Sequence, residues 1–168
     1  MGTTSLLTGR AAVRDTLYNW IETGNIQNLN QFFYSFPKRI NFQTNSQPGQ
    51  LSRAAAVIFI QAENENRIAI GGAHNGWKRV DFAVIIQVFF HSLHRDSMKA
   101  MADFDILIDN IKARLRADHN FGDTNGTLVW QGAEPVINAA YGEPMTSEEG
   151  ATELWAELQF DVTQMIQA

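Results

Sequence analysis

His91 and His94, followed by Asp96 in the run HSLHRD, are the residues of this chain best suited by type and spacing to hold a metal ion. Closely spaced imidazoles ligate zinc when further ligands complete the set. The run falls at a predicted strand-to-helix junction with no third ligand at suitable spacing, so a capping and loop role is expected instead. The triplet His94-Arg95-Asp96 also has the letters of a kinase catalytic loop. Kinase chemistry needs a glycine-rich phosphate loop and a metal-binding Asp motif as well, and the chain has neither.

The stretch Gly71-Gly72-Ala73-His74-Asn75-Gly76 looks at first like a phosphate loop. It lacks the closing Gly-Lys-Ser/Thr, and a predicted strand follows where a phosphate would need a helix N-terminus. It reads as a flexible connection between strands. Asp103, Asp105 and Asp109 lie on one predicted helix, and Asp105 and Asp109 share a face. Lys112 is three residues beyond Asp109, which makes this a solvated face with local ion pairs. Asn125-Gly126-Thr127 spells a glycosylation acceptor but, with no secretory signal, reads as a turn. No Ser or Thr stands in a nucleophile-elbow context. No catalytic residue, cofactor-binding residue, cofactor or metal ligand is therefore assigned, and the chain is read as a non-enzyme.

Length and charge narrow the remaining classes. The 168 residues suit one domain, 1–168, with one sizeable core. The formal net charge is −5 and no basic stripe is visible, which argues against gripping nucleic-acid phosphates. Charged residues make up 18%, below the roughly 25% of ordinary globular chains, leaving more surface for protein partners. Cys is absent, so disulfides and thiolate zinc sites are excluded. No run approaches the ~20 apolar residues of a membrane span, and the N-terminus carries no signal-like stretch; a soluble protein that stays where it is made is expected.

The elements that would position these residues follow from periodicity. The spacing of Val13, Leu17, Trp20 and Ile21 predicts a helix from Gly9 to Thr23, capped by Thr8 and ended by Gly24. Residues 25–52 lose all periodicity, being rich in Asn and Gln yet carrying Phe32, Phe33, Tyr34, Phe36 and Phe42. Such length is usually functional or partly disordered; a short strand at Phe32–Phe36 is expected, with neighbouring subunits ordering the rest. Ala54–Ala62 and Arg67–Ile70 read as a hairpin turning at Glu63–Asn66, and Trp77–Phe90 as a central strand apolar on both faces. Met101, Phe104, Ile108, Ile111 and Leu115 form the seam of a second helix, Met98 to Ala117, capped by Asp96 or Ser97. Short strands near Leu128–Trp130 and Val136–Tyr141 precede a cleanly alternating strand, Thr152–Ile166, with Leu154, Ala156, Leu158, Phe160 and Val162 inward. The fold class is α+β: one mostly antiparallel sheet, two main helices packed on it, and long loops. Trp20 reads as core and Trp130 has no assigned place. Aromatics concentrate contact energy, so Phe32, Phe33, Tyr34, Phe36, Trp77, Lys78, Arg79 and Trp155 are assigned to interfaces.

In its order of parts the chain resembles the tail terminator proteins of long-tailed bacteriophages with non-contractile tails. The resemblance runs from the first helix through the Glu63, Glu65 and Arg67 hairpin, the Gly71-Gly72 turn and the strand WKRVDFAVIIQVFF. It continues through the helix DFDILIDNIKARLRADHNFG, the phrase VWQGAEP and the final strand ELWAELQFDV. It implies an α+β subunit of a ring, hexameric in kind, that caps the tail tube, ends tail growth and forms the head-joining surface. The partners implied are further copies of the chain, the tail tube protein and head–tail connector proteins, with DNA passing through without specific binding and no membrane involved. The place implied is the virion tail, assembled in the host cytoplasm. Another head–tail connector or tail completion protein is the nearest alternative. An adaptor without fixed oligomer, and a small ligand-binding domain or enzyme using the Gly71–Lys78 turn and His74, stand further off.

Overall fold

The four-residue spacing of Val13, Leu17 and Ile21 puts them on one side of α1 (Arg10–Glu22), where all three are buried. The computed structural model describes residues 9–69, 76–123 and 128–167. Thr8, the expected cap of α1, lies outside them; the cap position is Gly9, at φ 86, with no side-chain cap. Its N–H donates to Gln164 Oε1 at 2.8 Å instead. At the other end the chain turns left-handed at Asn25, φ 47, one residue after Gly24. Gly24 is small for another reason: a Cβ there would sit 2.7 Å from Arg114 Nε.

That approach belongs to a clasp between the helices. Arg114, near the end of α2 (Ser97–Arg116), lays its guanidinium 3.5 Å from the centre of the Trp20 ring. Its Nε donates to the Trp20 carbonyl at 2.8 Å, and Trp20 Nε1 donates back to the Arg114 carbonyl at 2.8 Å. Trp20 is thus a half-buried clasp residue packed against the core, outside its fully buried centre. A cation over an indole contributes about 0.5–2 kcal/mol and each hydrogen bond about 1. Arg114→Ala is therefore expected to cost about 1–3 kcal/mol in urea unfolding. Arg114→Lys should recover little of it, because an ammonium cannot stack and donate sideways together.

Asp96 caps α2 by accepting from Met98 N at 2.9 Å. The buried face is Ala100, Phe104, Leu107, Ile108, Ile111 and Leu115. Met101 was expected in this seam but is 38% exposed. At ~100° per residue it falls on one margin of the buried arc, while Ala100 and Leu107 extend that arc on the other side. Beyond α2, Asp118 accepts from Asn120 N and Gly122 N, and these donors hold its carboxyl below the usual carboxylate range. The turn's contribution is complete at neutral pH and fades only as pH falls through that lowered value.

The strands are β1 (Leu29–Phe33), β2 (Ser52–Ala69), β3 (Trp77–Ser92), β4 (Leu128–Trp130), β5 (Asn138–Tyr141), β6 (Met145–Thr146) and β7 (Thr152–Gln167). They form one seven-stranded sheet in the order β1-β2-β3-β7-β4, with β5 and β6 also on β7. β1 runs parallel to β2 and every other pairing is antiparallel, giving an α+β fold with a mostly antiparallel sheet.

The expected turn at Glu63–Asn66 is absent. β2 continues straight through it, pairing Glu63 with Phe82 and Asn66 with Arg79. The stretch has no Gly or Pro to reverse it. Its polarity marks the point where the strand leaves the core, and every residue from Gln61 to Ile68 is exposed. The link to β3, with Gly71 and Gly72, lies outside the described residues.

β3 and β7 pair over their whole lengths, and the inward residues of both bury against α1 and α2 as alternation predicts. Trp130 belongs here too, 2% exposed and 5.1 Å from the Phe121 ring. The opposite face holds buried Ala55, Val57 and Ile85. The segment after β1 covers part of it, with Phe36 on Phe59 and Phe42 stacked on His91.

β1 begins earlier than expected, and the Asn- and Gln-rich segment supplies its own order. Gln50 is its hub. Gln50 Oε1 accepts from Asn30 Nδ2 and Gln47 N at 2.9 and 3.0 Å. Gln50 Nε2 donates to the Ser52 carbonyl at 3.0 Å, with Asn28 Oδ1 at 3.2 Å and Asn30 Oδ1 at 3.3 Å. Tyr18 of α1 stacks on Phe32 and meets Tyr34 edge-on. Contacts within the chain therefore do much of the ordering that was expected of neighbours.

Candidate functional site

The two histidines sit in separate surroundings, and buried His91 Nδ1 makes no hydrogen bond among the described residues. His94 Nε2 is 3.2 Å from Asp103 Oδ2 on α2, and His91 Nδ1 is 3.6 Å from Glu153 on β7. Asp103 also accepts from Ser52 Oγ at 2.6 Å, and Ser52 Oγ lies 3.1 Å from Ser92 Oγ. This polar knot ties the start of β2, the end of β3 and the first half of α2 together. It contains Ser, His and Asp in the wrong order for nucleophilic catalysis. An activated serine gives its proton to an imidazole that a carboxylate orients; here the carboxylate stands between hydroxyl and imidazole. Ser52 and Ser92 are also buried away from any substrate. Among the described residues, no three His, Cys, Asp or Glu side chains converge to hold a metal ion.

Asp105 and Asp109 are exposed on α2, away from the knot. His74 and the Asn125-Gly126-Thr127 turn lie outside the described residues, as does most of the Gly71–Lys78 turn. No described helix is long and apolar enough to cross a membrane.

The residues assigned to interfaces do not form one patch. Phe32 and Phe33 are half-buried on β1, Phe32 under Tyr18. Tyr34 follows, with the Arg14 guanidinium 5.1 Å from its ring centre. A hydrogen bond with Asp15 is the main cause pushing its hydroxyl pKa upward. Phe36 is 57% exposed even where it rests on Phe59.

Trp77 is 44% exposed at the far end of β3. Beside it Lys78 pairs with Glu65, and Arg79 with Asp81, both at 2.8 Å. Trp155 lies opposite Phe89, twelve residues along β3 from Trp77. At ~3.3 Å per residue the two tryptophans are roughly 40 Å apart.

Around Trp155 the fold builds a site that no single run of sequence announces. Ile40 and Phe42 from the long segment, Phe89 from β3, Met145 from β6 and Trp155 from β7 line an apolar groove of about 330 Å³. Glu143 and Glu153 stand among its lining residues. Glu143 makes no ion pair among the described residues, and Met145 is 62% exposed at the lip. Gly142 is required beneath it, because a Cβ there would lie 2.9 Å from Trp155 Cε3. Aromatic walls with carboxylates suit an apolar side chain accompanied by a cation.

Searches against models of known protein families give no match to this chain. No curated protein matches it either.

Proposed function

We propose that the chain is a structural, self-associating subunit of a phage tail: a tail-terminator-like ring that caps the tail tube and presents a head-joining surface. The observation that carries this reading is the outer stretch of β2, whose own residues stay exposed although they pair with core residues of β3. There β2 runs exposed from Gln61 to Ile68, and Ile68 and Trp77 stand open at 53% and 44%. The outer edge of β2 pairs with β1 only from Ala54 to Val57. An extended arm that buries little of itself repays its ordering only against something else. The resemblance to the tail terminators in the remaining order of parts, without the Glu63–Arg67 hairpin, suggests the kind of assembly. The polar knot, in which a carboxylate stands between hydroxyl and imidazole, supports a structural reading.

Added to polymerising tail-tube protein, the chain should stop tube growth and be found at one tube end. Tubes that grow unhindered, with the chain bound instead to head-side connector proteins, would move it to the neck. With net charge −5, it should not bind duplex DNA in a salt-sensitive way.

A further inference from the structure

The geometry points to a heterologous contact in which the Trp155 groove of one copy receives the Met98–Lys99 corner of a second copy. This rests on the self-association proposed above and names the two surfaces that carry it. The groove offers apolar walls from Phe42, Phe89, Met145 and Trp155, with Glu143 and Glu153 among its lining.

The same chain carries the complement. Met98 is 80% exposed, the most open large apolar side chain among the described residues, and Leu93, five residues earlier in the sequence, is 38% exposed. Arg95 and Lys99 flank it without an ion-pair partner among the described residues. A flexible thioether fills an irregular aromatic groove well, and sulfur–ring contacts are favourable. The cations would meet the groove's carboxylates, which supplies both charge complementarity and register. Lys99 also sits in the first turn of α2, where Asp96 at the cap is the one acidic residue and its carboxylate is engaged with Met98 N.

The aromatic walls of the groove and the knob face different ways within one copy. Phe89 and Trp155 lie on the sheet face opposite Phe90, whose ring packs against Phe104 of α2. The groove's Phe89 and Trp155 therefore face away from α2, which carries the knob, while Phe90 and Leu154 also border the groove near the end where β3 gives way to α2. Joining the knob of one copy to the groove of the next makes a head-to-tail contact, which closes into a ring or runs on as a filament.

The test uses the full chain and sedimentation velocity. Met98→Asp removes the knob and Glu143→Lys reverses a groove charge. Both positions are exposed, and circular dichroism melts matching wild type would show both variants folded. Each variant alone should associate about tenfold or more weakly than wild type. Met98→Asp still has an intact groove and Glu143→Lys an intact knob, so mixing the two should give a 1:1 dimer and nothing larger. Lys99→Glu combined with Glu143→Lys should regain association lost in either single variant. A wild-type multimer unaffected by both variants would overturn this contact while leaving the structural reading in place. A wild-type chain that stays single at every concentration would overturn both.

Discussion

Ile108→Ala is expected to lower the free energy of unfolding by about 2–5 kcal/mol. Ile108 is 1% exposed, midway along the buried face of α2 and within the core that α2 shares with β3 and β7. Truncation removes three carbons from water-free packing and leaves a void that a sheet-backed helix cannot readily collapse. Met101→Ala makes the control. A seam built on Met101 would give that variant a comparable cost; at 38% exposure it should cost less than about 1 kcal/mol. Urea midpoints with unchanged slopes would measure both. Equal costs at the two positions would mean that the buried arc of α2 is centred elsewhere.

Gln50→Leu is expected to cost about 1.5–3 kcal/mol and to loosen residues 25–52 as a unit. The substitution keeps the side-chain volume but removes one amide that serves Asn28, Asn30, Gln47 and Ser52 together. Each partner left without water or protein costs about 1–3 kcal/mol. Solvent reaches part of this surface, which brings the sum down to the stated range. Amide exchange should quicken across 25–52 while β3 and β7 stay protected. Gln50→Glu keeps an acceptor for Gln47 N and loses the donor to Ser52, so it should fall between the two. A loop whose exchange is unchanged by Gln50→Leu would show that its order comes from the aromatic contacts of Phe32 and Phe36 alone.

α2 and β7 were legible in the sequence because each buries one face against the same core. Phe104, Ile108, Ile111 and Leu115 keep the helical period, and Leu154 to Val162 keep the strand period. The hairpin was misread because Glu63-Asn64-Glu65-Asn66 is polar on both faces, which a turn and an arm outside the core share. What separates them is the absence of Gly or Pro in those four residues. The 25–52 segment looked unable to order itself because periodicity reports apolar burial only. Its order comes largely from amide-to-amide hydrogen bonds such as Asn30 to Gln50, which have no fixed period.

The groove and the polar knot were out of reach for a different reason. Phe42, Phe89, Met145 and Trp155 come from four separate parts of the chain. Ser52 and Asp103 meet across 51 residues, and only the register of β2 on β3 brings Ser52 beside Ser92. Trp77 and Trp155 shared one assignment on residue type, and the register of β3 on β7 places them at opposite ends of the sheet.

The proposed function rests on this chain binding copies of itself. Sedimentation velocity of the purified full chain over a concentration series tests it most directly. A closed multimer of one discrete stoichiometry, holding together as concentration falls through the micromolar range, is the predicted result. A single chain at every concentration would contradict it.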